Sequence, residues 1–205
     1  MRTFTVPIAA VIAGLPLSAS AHHFMDGGLP ETFAQGFLSG VGHPVIGLDH
    51  VAFIIGAGFS LALSKRGTWG IIALIGGSLF GAALHLSGFG LLWDEVGVAI
   101  SVILIGVVVM AHRPIELPWL SSGLALAGAL HGYAYAETIF GAEAAPLGAY
   151  LIGFCLVQLG IAASALVIHR RLMAWRDAWA RPTSSWLGAA MGVVGIVFLT
   201  INMVS

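Results

Sequence analysis

Charge is what this sequence has least of. Among 205 residues, 8% are Asp, Glu, Lys or Arg, 59% are hydrophobic, and mean hydropathy is +0.99. A soluble domain carries roughly a quarter charged residues, so the composition excludes an ordinary water-soluble fold and leaves an integral membrane protein. The net charge of −1 and the lack of any basic block give no indication of a nucleic-acid partner. Cysteine is nearly absent too. Cys155, the one cysteine, has no partner for an intrachain disulfide and reads as a small core residue. No G-x-x-x-x-G-K-[ST] loop is present, so the chain does not hydrolyse ATP in the usual way. The apolar runs are continuous rather than alternating, which excludes a β-barrel. Long linkers, low-complexity segments and convincing internal repeats are also missing.

What is present is an N-terminal processing signal followed by spans. Arg2 supplies a positive start, Val6 to Leu17 an apolar stretch too short to cross comfortably, and Ala19-Ser20-Ala21 a small-residue cleavage site. Residues 1–21 are therefore expected to be a cleaved signal peptide and 22–205 a single transmembrane helical domain. A helix needs about 20 apolar residues to cross. Six stretches meet this, at roughly 43–63, 69–88, 94–111, 117–137, 146–168 and 185–204, which predicts an all-α six-helix membrane bundle. The 28 glycines suit helices whose backbones approach closely.

Orientation follows from the bases. Lys65 and Arg66, then Arg113, then Arg170, Arg171, Arg176 and Arg181 all fall in alternate loops, the cytoplasmic ones by the positive-inside rule. Asp26, Glu31, Asp94, Glu95 and Glu143 fall in the opposite loops. Both termini of the mature chain are then outside, which agrees independently with a cleaved signal peptide at the N-terminus.

Ligand-type residues are distributed unevenly across this topology. His43-Pro-Val-Ile-Gly-Leu-Asp-His50 carries two histidines and an aspartate into the first span. A charge near the bilayer centre costs at least about 2.5–3.5 kcal/mol, so a membrane protein keeping this cluster has a use for it. Read as one straight helix with Pro44 in its first turn, the segment puts His43 and His50 on a shared face and Asp49 about 100° from it. His85 lies about one turn below the outer end of span two. His131 lies in the last turns of span four, with Glu137 at its outer end. His43, Asp49, His50, His85, His131 and Glu137 thus occupy the outer half, contributed by three spans. His112 and His169 adjoin Arg113 and Arg170 and read as ordinary residues of the cytoplasmic end. Tyr133, Tyr135 and the six tryptophans suit interfacial anchoring. After cleavage, His22-His23 would add a free α-amine beside an imidazole, a second chelating feature.

Neutral imidazole suits Ni, Co, Cu and Zn, whereas Mg or Ca calls for oxygen-rich sites. Ligation needs deprotonated imidazole, so capture weakens as pH falls towards and below about 6.5.

The segment HPVIGLDH resembles the H-P-x-x-G-x-D-H signature of the HupE/UreJ family of nickel/cobalt permeases. His131-Gly-Tyr-Ala-Tyr-Ala-Glu137 resembles that family's second signature, an H-G-x-A stretch followed by a glutamate. The better-known form has histidine and glycine where this chain has Tyr135 and Ala136, which removes one potential ligand. The likeness covers essentially the whole mature chain. It implicates His43, Asp49, His50, His131 and Glu137 in metal handling, with His85 added on depth alone. It further implies a multi-pass protein of the bacterial inner membrane with no prosthetic group, serving metalloenzyme maturation such as that of hydrogenase or urease.

Import of Ni²⁺ or Co²⁺ is therefore the leading expectation, with Cu²⁺ and Zn²⁺ open on ligand chemistry. The membrane potential would assist a dication by roughly 2.3 kcal/mol per charge per 100 mV. Two other functions fit a His/Asp cluster. One is an intramembrane zinc hydrolase, although no H-E-x-x-H element is present. The other is a non-conducting metal sensor or chaperone, favoured by the few polar groups of the inner half.

Overall fold

The computed structural model describes residues 28–204; the signal-peptide segment and His22-His23 lie outside them. Among the described residues the chain is all-α, with seven helices in the order α1 (Phe33–Ile46), α2 (Leu48–Leu61), α3 (Thr68–Leu86), α4 (Asp94–Ala111), α5 (Leu117–Glu137), α6 (Ala144–Trp175) and α7 (Asp177–Val204). Helices α3, α4, α6 and α7 are each long and apolar enough to cross a membrane, and α1 with α2 qualifies as one bent span. Helix α5 has 21 residues, but its glycines, serines, tyrosines and His131 hold its hydropathy below that of the other four.

The first span differs most from the sequence expectation of one helix over 43–63. Helix α1 starts ten residues earlier, because Thr32 and Gln35 form a reciprocal cap. The Gln35 amide donates to Thr32 Oγ1 at 3.2 Å, and the Thr32 amide donates to Gln35 Oε1 at 3.1 Å. Pro44 then lies in the last turn of α1 rather than in a first turn. It cannot donate to the Gly40 carbonyl, which weakens the helix there. At Gly47 the backbone is extended (φ −71, ψ 109), and α2 departs at 78° to α1. The basic connection expected between the last two spans is also different. Helix α6 runs on to Trp175, and only Arg176 separates it from α7.

Close backbone approach organises the bundle. A Cβ on Gly81 would land on the Ala129 carbonyl, and one on Gly132 would land on the Ser78 carbonyl, so α3 and α5 are locked backbone to backbone. Gly36 and Gly40 do the same against Pro146 and Tyr150, joining α1 to α6, and Gly106 with Gly188 joins α4 to α7. Contact positions rise together in the α3–α5 and α1–α6 pairs, which are parallel, and run oppositely in α4–α7, which is antiparallel. Phe53, Ile54, Leu61, Leu74, Val102 and Leu166 fill the core between them. Many large apolar side chains face outward: Trp69, Leu104, Leu126 and Ile168 are each more than half exposed. Apolar surface of that extent belongs in lipid rather than water.

Replacing Gly132 with leucine is expected to cost about 1–3 kcal/mol or more through overpacking. Gly76→Ala, where nothing lies within 4 Å of the added carbon, should be neutral or stabilising by up to about 1 kcal/mol. Thermal unfolding in detergent separates the two, and equal melting of both variants would contradict the interlocked α3–α5 pair.

Candidate metal centre

The bend at Gly47 decides the site. Seven residues along a straight helix are about 10 Å apart, yet the rings of His43 and His50 have centroids 5.8 Å apart. His43 stands in the last turn of α1, and Asp49 and His50 in the first turn of α2; the turn between them folds the two imidazoles together. Gly47 is needed because a Cβ there would stand 2.5 Å from the His50 ring. The shared face of one straight helix is thus replaced by two helix ends meeting.

His131, from the last turns of α5, completes the cluster. Its ring lies 4.9 Å from that of His50 and stacks on Phe53 at 4.2 Å. His50 Nδ1 and His131 Nδ1 are 2.8 Å apart, so one of them carries the proton between them. The remaining hydrogen bonds decide which. Ser101 Oγ sits 2.7 Å from the Val98 carbonyl, which can only accept, so the hydroxyl donates there. Its oxygen then accepts from His131 Nε2–H at 2.8 Å. Neutral His131 is left with its lone pair on Nδ1, and His50 Nδ1–H donates to it. The lone pair of neutral His50 is consequently on Nε2.

His43 is fixed by the same accounting. The Tyr150 hydroxyl donates to the Tyr135 carbonyl at 2.6 Å, and Thr138 Oγ1 donates to the same carbonyl at 3.1 Å. Both hydroxyl oxygens accept from His43 Nδ1–H at 3.1 Å. A histidine held through one ring nitrogen, with its lone pair on the other, has the form of a metal ligand oriented by its surroundings.

Asp49 accepts the backbone N–H of His50 at 2.8 Å in the first turn of α2, where the helix dipole favours a carboxylate. His43, Asp49, His50 and His131 are each at most 5% exposed. Tyr135 is 0% exposed, so it lies in the core and is no interfacial anchor. Its ring stands edge-on to His43 at 5.2 Å and to His50 at 4.5 Å. Its hydroxyl is buried without a hydrogen-bond partner, which costs about 1–3 kcal/mol. An unsatisfied donor among imidazoles marks a place where a polar guest would be welcome.

Two residues expected here lie elsewhere. His85 packs edge-on against Tyr133 at 4.5 Å and Phe140 at 5.6 Å, with its Nδ1 unpartnered. Tyr133 is itself tied to the loop after α3, donating to the Phe89 carbonyl at 2.7 Å. Glu137 is exposed at the end of α5. Half-buried Glu95 of α4 lies within electrostatic range of Asp49, Asp94 and Glu137. Among the described residues no three His, Cys, Asp or Glu side chains form a ready metal seat; the imidazoles are linked through protons instead. Ser101, Thr138 and Tyr150 carry no mark in the sequence, and Glu95 stands out there only as an acid of an outer loop. Tyr135, one turn after His131, is marked in the sequence as the position where the better-known second signature has histidine, although its residue type reads there as an interfacial anchor.

The sequence profile of the HupE/UreJ proteins matches residues 10–198. The chain belongs to the HupE/UreJ family. It is similar to Protein HupE of Rhizobium leguminosarum bv. viciae, 27% identical over 134 residues, which cover 62% of this chain and 65% of that protein. The match therefore spans just under two thirds of the relative's length. No solved structure matches. Both signature segments lie within the matched range, and the fold brings HPVIGLDH and the first residues of His131–Glu137 into one buried cluster.

Tyr150→Phe should lower thermal stability in detergent by about 1–3 kcal/mol, because it strips the Tyr135 carbonyl and His43 of a partner. Tyr135→Phe, which removes only an unpartnered hydroxyl, should leave metal-free stability unchanged or raised. A larger loss in Tyr135→Phe than in Tyr150→Phe would show that the donor assignment is wrong.

Proposed function

We propose that this HupE/UreJ protein is a multi-pass inner-membrane permease that carries a divalent transition metal, Ni²⁺ or Co²⁺ foremost, into the cytoplasm. Counting α1–α2 as the first crossing and α5 as the fourth gives six spans, with the basic connections inside and both ends of the mature chain outside. The observation carrying this reading is the buried cluster of His43, His50 and His131 packed against the Tyr135 ring, whose hydroxyl has no hydrogen-bond partner.

Glu137, Asp94 and Glu95 stand at the end where the cluster lies and draw a hydrated dication towards it. Asp49, about 100° around α2 from His50, offsets the ion's charge as it sheds water. Imidazole takes the place of that water: His43, His50 and His131 offer ring nitrogens, that of His131 being Nδ1, exposed when the hydrogen bond from His50 Nδ1–H opens. The Tyr135 hydroxyl hydrogen-bonds to water still held by the ion. Entry of the metal is thereby linked to the opening of one hydrogen bond. His22 and His23 would serve as an outer collecting point on the mature chain, and His85, off the cluster, as a neighbouring stop.

A hydrolytic zinc centre uses three protein ligands and an open position. The proton-linked pairs described above suit transient transfer better than a fixed centre, because a conducted ion must be held weakly enough to leave.

Proteoliposomes offered nickel, cobalt, copper and zinc test this directly. Nickel or cobalt is expected to accumulate inside, and His50→Ala should lower the rate at least about tenfold, the scale on which metal sites respond to losing an oriented ligand. Metal that binds the protein yet never enters the vesicles would replace the permease with a sensor or chaperone.

A further inference from the structure

The other end of the bundle holds a second pair of imidazoles. His169 of α6 is 1% exposed although Arg170 follows it, so it is no ordinary surface residue. Its Nδ1 lies 2.8 Å from the Phe59 carbonyl, and its ring stacks on the Phe59 ring at 4.5 Å. Its Nε2 lies 3.2 Å from Ser184 Oγ of α7, and His112 Nδ1 approaches the same oxygen at 3.0 Å. The two rings are 5.3 Å apart. Ser184 is 0% exposed.

Donor accounting fixes this chain of bonds as well. The Phe59 carbonyl only accepts, so His169 Nδ1–H donates and the lone pair of neutral His169 is on Nε2. Ser184 donates its hydroxyl proton to that nitrogen and accepts from His112 Nδ1–H. Two nitrogens from different helices thus converge on one oxygen, and His169 is oriented by a backbone carbonyl in the way metal-binding histidines are. His112 contributes a further sign. It caps α4 with φ 46, in the left-handed region that a side chain other than glycine adopts at a cost. Such a strained residue, holding its imidazole against a buried hydroxyl, suggests that the imidazole is used.

Helices α2 and α4 connect both ends. Nine residues separate His50 from Phe59 and eleven separate Ser101 from His112, so the two histidine groups lie about 14–17 Å apart along the same helices. We propose that His112, His169 and Ser184 form a second seat for the transported divalent transition metal, from which it is released on the basic side; this rests on the transport reading above. Ligation requires the His112 proton to move from Nδ1 to Nε2, after which Nδ1 of His112 and Nε2 of His169 face the ion and the Ser184 oxygen becomes a third donor. Two imidazoles and a hydroxyl hold a dication less firmly than a full set of charged ligands. Arg113 and Arg170, the immediate sequence neighbours, weaken that hold further. Loose binding is what a point of departure needs.

Equilibrium dialysis of the detergent-solubilised full chain against radioactive nickel tests the seat, with His22 and His23 replaced by alanine to remove the N-terminal chelate. The parent should bind two equivalents. His169→Gln and His112→Gln should each keep one and bind the other about tenfold or more weakly; His50→Gln should lose the complementary equivalent. Nickel uptake into vesicles should fall in His112→Gln although the first equivalent is retained. If His169→Gln does not fold, His112→Gln, at a half-buried helix end, decides alone. Unchanged stoichiometry in the variants that fold overturns the second seat while leaving the transport reading intact. A parent that binds no nickel overturns both.

Discussion

A buried hydrogen bond between two imidazoles is the contact on which the other features of the site depend. Hydrocarbon offers no partner to a ring nitrogen, so each buried histidine must find one within the protein. His131 finds Ser101 on one side and His50 on the other. His43 finds Thr138 and Tyr150. The three imidazoles, which come from three different helices, are thereby joined to the protein by hydrogen bonds. Tyr135 is the exception: its ring lies against all three imidazoles, and its buried hydroxyl has no hydrogen-bond partner.

The helix break at Gly47 makes this contact possible, and the glycine interlocks hold the break in place. Helix α1 is fastened to α6 at Gly36 and Gly40, and α5 is fastened to α3 at Gly132, beside His131 itself. Lipid provides little hydrophobic drive between helices, so backbone approach must supply the packing. Small residues therefore set the distances at which the histidines meet. Packing and chemistry occupy alternate positions of the same helices: Gly132 follows His131, and Gly47 lies between His43 and His50.

Much of the framework was legible in the sequence. The apolar runs at 69–88, 94–111 and 117–137 lie within about two residues of α3, α4 and α5, because length and hydropathy are properties of the run itself. The start of α1 was less legible. Gly36, Gly40 and Gly42 dilute its hydropathy, and the Thr32–Gln35 cap was its only clear mark. The bend was hidden because Pro44 and Gly47 suit a helix beginning as well as a helix end. Depth counting gave each histidine a height but no azimuth. Hence His85 shares the height of the cluster and faces Tyr133 instead. Adjacency misled in the same way at His169. Successive helix residues point about 100° apart, so a buried imidazole can directly precede an exposed guanidinium chain.

Anomalous scattering recorded at the nickel edge from crystals of the metal-loaded protein tests the central claim most directly. The account expects a peak within about 2.1 Å of imidazole nitrogens from at least two of His43, His50 and His131, with Tyr135 beside it. A nickel peak remote from all three rings, or a continuous helix that separates His43 from His50, would contradict it.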